Sequence, residues 1–150
     1  MDGLKKVDSQ AHWGRAIFDA FPLPAFIVDE DVRILDFNVA AEAFLGAAPR
    51  SALRRRGGEV LHCVCAGTAG CGKSKSCKSC LIRNSVRAAL NGEDACRKFC
   101  HAELRGSRGP VPVNLLVTAC LLPETKMPQV LLVLENVAET VRLCKRQPGA

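Results

Sequence analysis

The chain has 150 residues, a net charge of +6 and nine cysteines. This length is typical of one domain, which buries roughly 70% of the surface that its unfolded chain exposes and needs neither metal nor disulfides merely to fold. The first eight residues lack the apolar segment of a secretory signal, and no stretch is long enough to cross a bilayer. These features argue against a secreted, disulfide-stapled protein and against a membrane protein. They predict a cytoplasmic location, where thiols stay reduced and clustered cysteines more often bind metals or react.

Apolar spacing and turn residues predict the order helix, two strands, helices with a cysteine-rich loop, three strands, helix. The predicted helices are Gln10–Phe21, Val39–Leu45, Leu81–Leu90 and Ala138–Arg146. The predicted strands are Ala25–Val28, Val32–Phe37, Cys96–Leu104, Val111–Leu122 and Val130–Leu134. Asn38 is expected to cap the second helix and Gly46 to end it. The pattern predicts an α+β fold in which helices and a cysteine-rich loop cover one face of a five-stranded antiparallel sheet.

Five of the cysteines fall within eighteen residues: Cys63, Cys65, Cys71, Cys77 and Cys80. We predict that Cys63, Cys71, Cys77 and Cys80 ligate a metal, with Cys65 in reserve. Their spacing is C-x7-C-x5-C-x2-C, and a CxxC turn lets two sulfur atoms converge on one ion. The glycines on either side of Cys71 allow the backbone to approach closely. The cluster therefore predicts a cysteine-ligated metal centre.

Three states of this cluster stay open. Zinc ribbons usually pair two CxxC turns and this chain has one, which favours an iron–sulfur cluster slightly over zinc. In the metal-free alternative, Cys77 and Cys80 close a disulfide, helped by lysines and a helix N-terminus that lower the thiol pKa. Lys73, Lys75 and Lys78 are interleaved with the cysteines and would also stabilise the negative charge of thiolates around a metal.

The positive charge is concentrated between Arg50 and Cys80, where seven basic residues accompany one acid, Glu59. Such a patch can bind nucleic acid. However, the chain has no Tyr, and its single Trp13 lies far from the patch. We interpret the arginines as a solvated face and do not expect nucleic acid as a partner.

The other cysteines and histidines receive a structural interpretation. Cys96 and Cys100 have the spacing of residues on one face of a strand, and most buried cysteines behave as small hydrophobic residues. Cys120 lies in a strongly apolar strand and is expected in the core. His62 is a candidate substitute ligand beside the cluster, whereas His101 is expected at the surface.

Several segments of the chain occur in a characteristic order: Ile17–Asp29, Ile34–Glu42 and Leu45-Gly46 near the start, then Val130–Leu134 near the end. The last of these runs into a segment with two acidic residues, Glu135–Glu139. In order and spacing they resemble a PAS (Per-Arnt-Sim) sensory domain. The resemblance covers about Ile17 to Val141. The pattern of a single cysteine, Gly-Cys-Gly and CxxC is also similar to a cysteine-bearing PAS subgroup from bacterial sensors.

The resemblance implies a sensory module with a pocket between the sheet and its helices. It divides the chain into a helical flank at 1–16, a PAS-like domain at 17–141 with a cysteine-rich insert at 62–80, and a tail at 142–150. Because no output domain follows, we expect a stand-alone module that acts in trans on a signalling partner or through a homodimer.

Redox or oxygen sensing is the expected function. The alternatives are a structural zinc-binding interaction module and a metal-free thiol switch. Catalysis is not expected, because the chain has no G-x-S-x-G, P-loop or G-x-G-x-x-G motif.

Overall fold

The structure, a computed structural model, describes residues 13–46, 48–64, 70–73, 75–123 and 125–146. The helices are α1 (residues 13–20), α2 (Glu42–Leu45), α3 (Gly57–Val60), α4 (Leu81–Leu90) and α5 (Val137–Arg146). The strands are β1 (Ala25–Val28), β2 (Ile34–Phe37), β3 (Ala95–Gly106), β4 (Gly109–Leu121) and β5 (Val130–Asn136). Within the described ranges, no helix is long and apolar enough to span a membrane. The first three residues of the predicted Gln10–Phe21 helix, and residues 1–9 and 147–150 of the predicted flank and tail, lie outside the described residues.

The five strands form one antiparallel sheet in the order β2-β1-β5-β4-β3. The first strand therefore pairs with the last, with Phe26 opposite Leu132. Strands β3 and β4 form a long hairpin that closes between Gly106 and Gly109. The predicted α+β fold with a five-stranded antiparallel sheet is confirmed.

One face of the sheet, which we call the inner face, contains the core. Alternation along β4 buries Leu115, Val117 and Ala119 on this face, as expected for a strand with one covered side. Helix α4 packs against it with Val86 and Ala89 fully buried. The amphipathic spacing that predicted α4 thus also determines which helix face meets the sheet.

Two elements differ from the sequence prediction. The predicted helix Val39–Leu45 is a 3-10 helix at Val39–Ala41 followed by α2. Strand β2 begins at Ile34 because Val32 adopts a left-handed φ of 61°, which ends extended pairing at that residue. The carbonyl of Val32 instead accepts the N–H of Gly57 at 2.9 Å and joins the hairpin to α3.

Strand β3 contains one extra residue relative to β4. Ala95 pairs with Ala119 and Lys98 pairs with Val117, so three steps along β3 match two along β4. Arg97 lies in this bulge with a φ of 48°. A one-residue bulge reverses the faces of the residues beyond it.

The bulge separates two cysteines whose spacing predicted a common face. Cys96 precedes it and is exposed, whereas Cys100 follows it and lies half-buried opposite the buried Leu115. The prediction that Cys96 and Cys100 share a face is therefore wrong.

Asn38 joins the segment after α1 to β1 and to the next helix. Its side chain is fully buried. Its Oδ1 accepts the backbone N–H groups of Ala25 and Ala41, both at 3.0 Å. Its Nδ2 donates to the carbonyls of Phe21 at 3.3 Å and Leu23 at 2.9 Å. The predicted cap is confirmed, and the same amide also positions the start of β1.

We expect Asn38→Ala to lower the free energy of unfolding by about 3 kcal/mol, because it leaves several buried backbone groups without partners. The matched control is Ser85→Ala, since the buried Oγ of Ser85 has no hydrogen-bond partner among the described residues. Removing an unpaired buried hydroxyl should change stability by less than about 1 kcal/mol, or raise it. Urea unfolding of both variants measures the difference, and equal losses would contradict this account.

Candidate ligand pocket and cysteine cluster

A cavity of about 520 Å³ lies between the inner face of the sheet and the elements that cover it. The sheet contributes apolar side chains, including Phe26, Val28, Leu115, Leu132 and Leu134. The cover consists of α3, the first turn of α4, and the described residues of 61–80, which we call the covering segment. The chain thus encloses a mainly apolar space with a polar, cysteine-bearing cover, an arrangement typical of small-ligand sites.

Five described cysteines line this cavity: Cys63, Cys71, Cys77, Cys80 and Cys100. Four of them are the predicted ligands, so the fold brings together residues that the sequence spreads over eighteen positions. The fifth, Cys100, comes from β3 and was not predicted. Cys65, the reserve ligand, lies outside the described residues. Metal ligation by these side chains stays a prediction.

Cys63 is held between α3 and β3. Its N–H donates to the carbonyl of Gly58 at 2.8 Å, and it forms an isolated antiparallel bridge with Leu104. Next to it, the N–H of Arg105 donates to the carbonyl of His62 at 2.7 Å. This end of the covering segment is therefore bonded directly to the sheet.

Cys71 lies between two glycines that adopt left-handed backbone conformations, Gly70 at φ 97° and Gly72 at φ 86°. Glycine adopts such angles without the strain that a side chain would add. Nη1 of Arg56 donates to the carbonyl of Cys71 and Nη1 of Arg83 to that of Gly72, both at 3.0 Å. Two guanidinium groups thus hold the backbone that presents Cys71 to the cavity.

Cys77 and Cys80 lie at the start of α4. The 3-10 helix Lys75–Ser79 contains Cys77, and the N–H of Cys80 donates to the carbonyl of Cys77 at 3.2 Å. Cys80 is the N-cap residue of α4. Nδ2 of Asn84 donates to the carbonyl of Lys78 at 3.2 Å. The predicted CxxC turn is therefore fixed to the helix that follows it.

Burial raises the pKa of the Cys71 thiol, which keeps it protonated at neutral pH. A hydrogen bond from the N–H of Gly58 opposes this shift, while negative charge on Cys77, Cys80 and Cys63 adds to it. Lys73, Lys75 and Lys78 are exposed.

Burial likewise raises the pKa of Cys100, and negative charge on Cys80 and Cys63 adds to this shift. Cys63 and Cys80 therefore lie within electrostatic range of both Cys71 and Cys100. The five thiols form one cluster rather than two separate groups.

The cluster is not arranged as a preformed metal site. Among the described residues, no group of three or more His, Cys, Asp or Glu side chains has an arrangement that could hold a metal ion. The described positions place the thiols around a shared cavity rather than around one point.

The comparisons with known proteins agree on one fold. A family model described as PAS domain matches residues 15–78. The PAS domain of an HTR-like protein from Haloarcula marismortui superposes with a TM-score of 0.56 at 14% identity, covering 91% of this chain and 98% of that one. The chain has a PAS fold.

Two further structures share this PAS fold. A domain of a sensory box sensor histidine kinase/response regulator from Geobacter sulfurreducens has a TM-score of 0.53 at 21% identity and covers 84% of this chain and 93% of its own. The PAS domain of nitrogen regulation protein NR(II) from Vibrio parahaemolyticus has a TM-score of 0.56 at 13% identity, with coverages of 83% and 97%. No curated protein matches the sequence. The cavity lies where the resemblance to PAS domains implied a pocket, between the sheet and its cover.

Three other side chains considered in the sequence analysis are placed as follows: His62 and Cys120 do not line the cavity, whereas His101 does. His62 is exposed and does not line the cavity. His101 is exposed, with its Nδ1 2.8 Å from Oδ1 of Asn114, as expected for a surface histidine. Cys120 was expected in the core but is half-buried and pairs with Leu131 on the opposite face from Leu115.

Sequence reasoning missed two features of the site. Cys100 reaches the cavity because of the β3 bulge, and no turn residue or glycine in that part of the strand indicates a bulge. Arg56 was assigned to a solvated face, but its guanidinium binds the carbonyl of Cys71. A basic residue that is hydrogen-bonded to a distant backbone cannot be distinguished from a solvated one by composition.

Gly58 provides the space that Cys71 occupies. A methyl group on Gly58 would lie 2.6 Å from Sγ of Cys71 and 3.5 Å from Cβ of Cys63. We expect Gly58→Ala to push Cys71 out of its place and to raise its rate of alkylation by iodoacetamide several-fold, because exposure favours the reactive thiolate.

Peptide mass spectrometry after timed alkylation measures this rate. Gly14→Ala is the control, because a methyl group there meets nothing within 4 Å. An unchanged Cys71 rate in Gly58→Ala would show that Gly58 does not shape the cluster.

Proposed function

We propose that this PAS domain is a sensory module whose input is chemistry at the cysteine cluster, with Cys63, Cys71, Cys77 and Cys80 binding a metal centre. The observation that carries the proposal is the meeting of these four residues at one cavity. The pattern of a single cysteine, Gly-Cys-Gly and CxxC supports a place among the cysteine-bearing PAS domains of bacterial sensors. We propose redox or oxygen state as the signal.

A purely structural role is the main competing explanation, since most buried cysteines act as small hydrophobic residues. Two features favour ligation. The backbone around Cys71 uses two left-handed glycines and is held by two guanidinium groups. In addition, the buried cluster between the sheet and α4 consists of aliphatic and aromatic side chains, and Cys100 packs only at its edge.

Thiolate ligands favour zinc or an iron–sulfur cluster, and the single CxxC turn favours the cluster slightly. A bound iron–sulfur cluster would supply one-electron redox chemistry, whereas zinc would be redox-silent. The described thiols surround a cavity and would have to move closer together to bind either group. The motion would be confined to the covering segment if the sheet stays in place.

A metal-free thiol switch is the second candidate. The hydrogen bond between Cys80 and the carbonyl of Cys77 keeps these two residues in one turn, which favours a disulfide between them. The raised pKa of Cys71 weakens it as a free nucleophile, because the thiolate is the reactive form. A metal ion, by contrast, deprotonates the thiols that it binds.

We further propose that α5 transmits the output. Helix α5 follows β5 directly, and Oδ1 of Asn136 accepts the N–H groups of Ala138 at 3.1 Å and Glu139 at 3.3 Å. In the sheet register, Cys100 lies opposite Leu115, and Leu115 lies opposite Asn136. A row of paired residues therefore joins the cavity wall to the cap of α5.

The partner of this output is proposed to be a signalling protein or a second copy of the chain. Exposed apolar side chains on both terminal helices support this proposal: Trp13 and Ile17 on α1, and Val141 and Leu143 on α5. Such side chains can pack together when two modules associate.

The first test is anaerobic purification followed by a UV–visible spectrum and by iron, zinc and sulfide analysis of the same sample. We expect iron with sulfide and visible absorption that bleaches in air. Cys71→Ser and Cys80→Ser should lose most of the metal, whereas Cys120→Ser, a half-buried strand cysteine outside the cluster, should retain it.

Each other outcome has a defined meaning. Zinc bound by the same cysteines would indicate a zinc-binding interaction module rather than a redox sensor. Metal that survives Cys71→Ser and Cys80→Ser unchanged would exclude this site. A metal-free protein in which Cys77 and Cys80 form a reversible disulfide would favour the thiol switch.

A further inference from the structure

Gly58, on α3, lies between two cysteines of the cluster and is hydrogen-bonded to both. Its carbonyl accepts the N–H of Cys63 at 2.8 Å. Its own N–H donates to the sulfur of Cys71. One glycine therefore holds together two residues that the sequence separates by seven others.

The missing side chain of Gly58 leaves a space that both cysteines border. A Cβ atom on Gly58 would lie 3.5 Å from Cβ of Cys63 and 3.2 Å from Cβ of Cys71, but only 2.6 Å from Sγ of Cys71. The Cys71 thiol therefore points into this space. The two cysteine Cβ atoms lie at most 6.7 Å apart, the sum of 3.5 and 3.2 Å. A disulfide needs about 3.5–4.5 Å between them, so a shift of no more than about 2–3 Å brings the pair into range.

The pair is also accessible. Both thiols line the cavity and are half-buried, whereas Cys77 of the CxxC turn is buried, with 6% of its surface exposed. A small oxidant in the cavity therefore reaches Cys63 and Cys71 more readily than Cys77. The backbone at Cys71 and Gly72 is held by arginine hydrogen bonds, which exchange with water at little net cost and so permit the shift.

We propose that Cys63 and Cys71 form a redox pair, which a hydroperoxide oxidises to a disulfide in the space beside Gly58. This inference rests on the proposed redox function of the cluster and names a pair other than Cys77 and Cys80. One thiolate attacks the peroxide oxygen, the O–O bond breaks, and a sulfenic acid forms as water leaves. The second thiol attacks the sulfenic sulfur, the S–S bond forms, and a second water leaves. Two thiols thus lose two hydrogen atoms, and one peroxide becomes two waters.

The disulfide would have two consequences for the covering segment. It would join Cys71 covalently to Cys63, which is bonded to β3 through its bridge with Leu104. It would also remove two of the four proposed metal ligands, so that oxidation of this pair and metal binding exclude each other.

The test uses the wild-type chain, freed of metal and reduced, with hydrogen peroxide as the oxidant and N-ethylmaleimide to block the remaining thiols. Trypsin leaves Cys63, Cys65 and Cys71 on one peptide, residues 57–73, and places Cys77 and Cys80 on two others. We expect the 57–73 peptide to lose two hydrogen atoms and to retain one thiol, and dithiothreitol to reverse the change. In Cys65→Ser, a disulfide within this peptide can only join Cys63 to Cys71.

Gly58→Ala separates pairing from simple thiol reactivity. A methyl group would occupy the space that the disulfide needs, so we expect this disulfide to form on the order of tenfold more slowly, although Cys71 alkylation rises in the same variant. Gly14→Ala is the control, because a methyl group there meets nothing within 4 Å. Circular dichroism of both variants detects lost folding, and the wild-type result depends on neither.

A disulfide between Cys77 and Cys80, with Cys63 and Cys71 still reduced, would overturn this inference and leave the proposed metal site intact. A wild-type rate of Cys63–Cys71 disulfide formation in Gly58→Ala would also overturn it. A Cys63–Cys71 disulfide in a chain that anaerobic purification shows to be metal-free would establish the pair and exclude the metal site instead.

Discussion

The structure depends on how the inner face of the sheet is covered. A five-stranded sheet with one apolar face must bury that face, and α4 covers only part of it. The rest is covered by a segment rich in glycine, lysine and cysteine, in which few apolar side chains, Leu61 among them, pack against the core. Its backbone is held instead by side chains of neighbouring elements, Arg56, Arg83 and Asn84. The cavity and the cysteine cluster both follow from this arrangement.

The covering segment is held mainly by hydrogen bonds, which suits it to change its arrangement when a ligand binds. Each hydrogen bond contributes only about 1 kcal/mol net, because the same groups bond to water when they separate. A segment held in this way can rearrange without unfolding the core, and functional loops are commonly drawn from such regions. A ligand that prefers one arrangement of the thiols would shift the population toward it. The aliphatic core on the sheet would stay as it is.

The contacts at the two edges of the cavity have different characters. On the cover, the backbone carbonyls around Cys71 and in the CxxC turn accept hydrogen bonds from Arg56, which precedes α3, and from Arg83 and Asn84 on α4. On the sheet, Cys100 is placed by the β3 bulge and by an ion pair to the buried Glu135. The first kind of contact is exchangeable with water, whereas the second is tied to the register of three strands. A ligand that contacts both would therefore connect the hydrogen-bonded cover to the sheet across the same pocket.

Much of this protein can be predicted from its sequence. Local signals determine the helix at Leu81–Leu90, the cap at Asn38 and the strands after residue 95, because spacing of apolar residues and turn chemistry act over a few residues. The cluster of Cys63, Cys71, Cys77 and Cys80 is also visible as a local run with glycines around it. Only the tertiary structure decided that Cys100 joins this cluster, that Cys120 lies on the opposite face, and that Arg56 binds the cover. These depend on one extra residue in β3 and on pairing between distant strands, and no local pattern specifies which partner a strand or a guanidinium group meets.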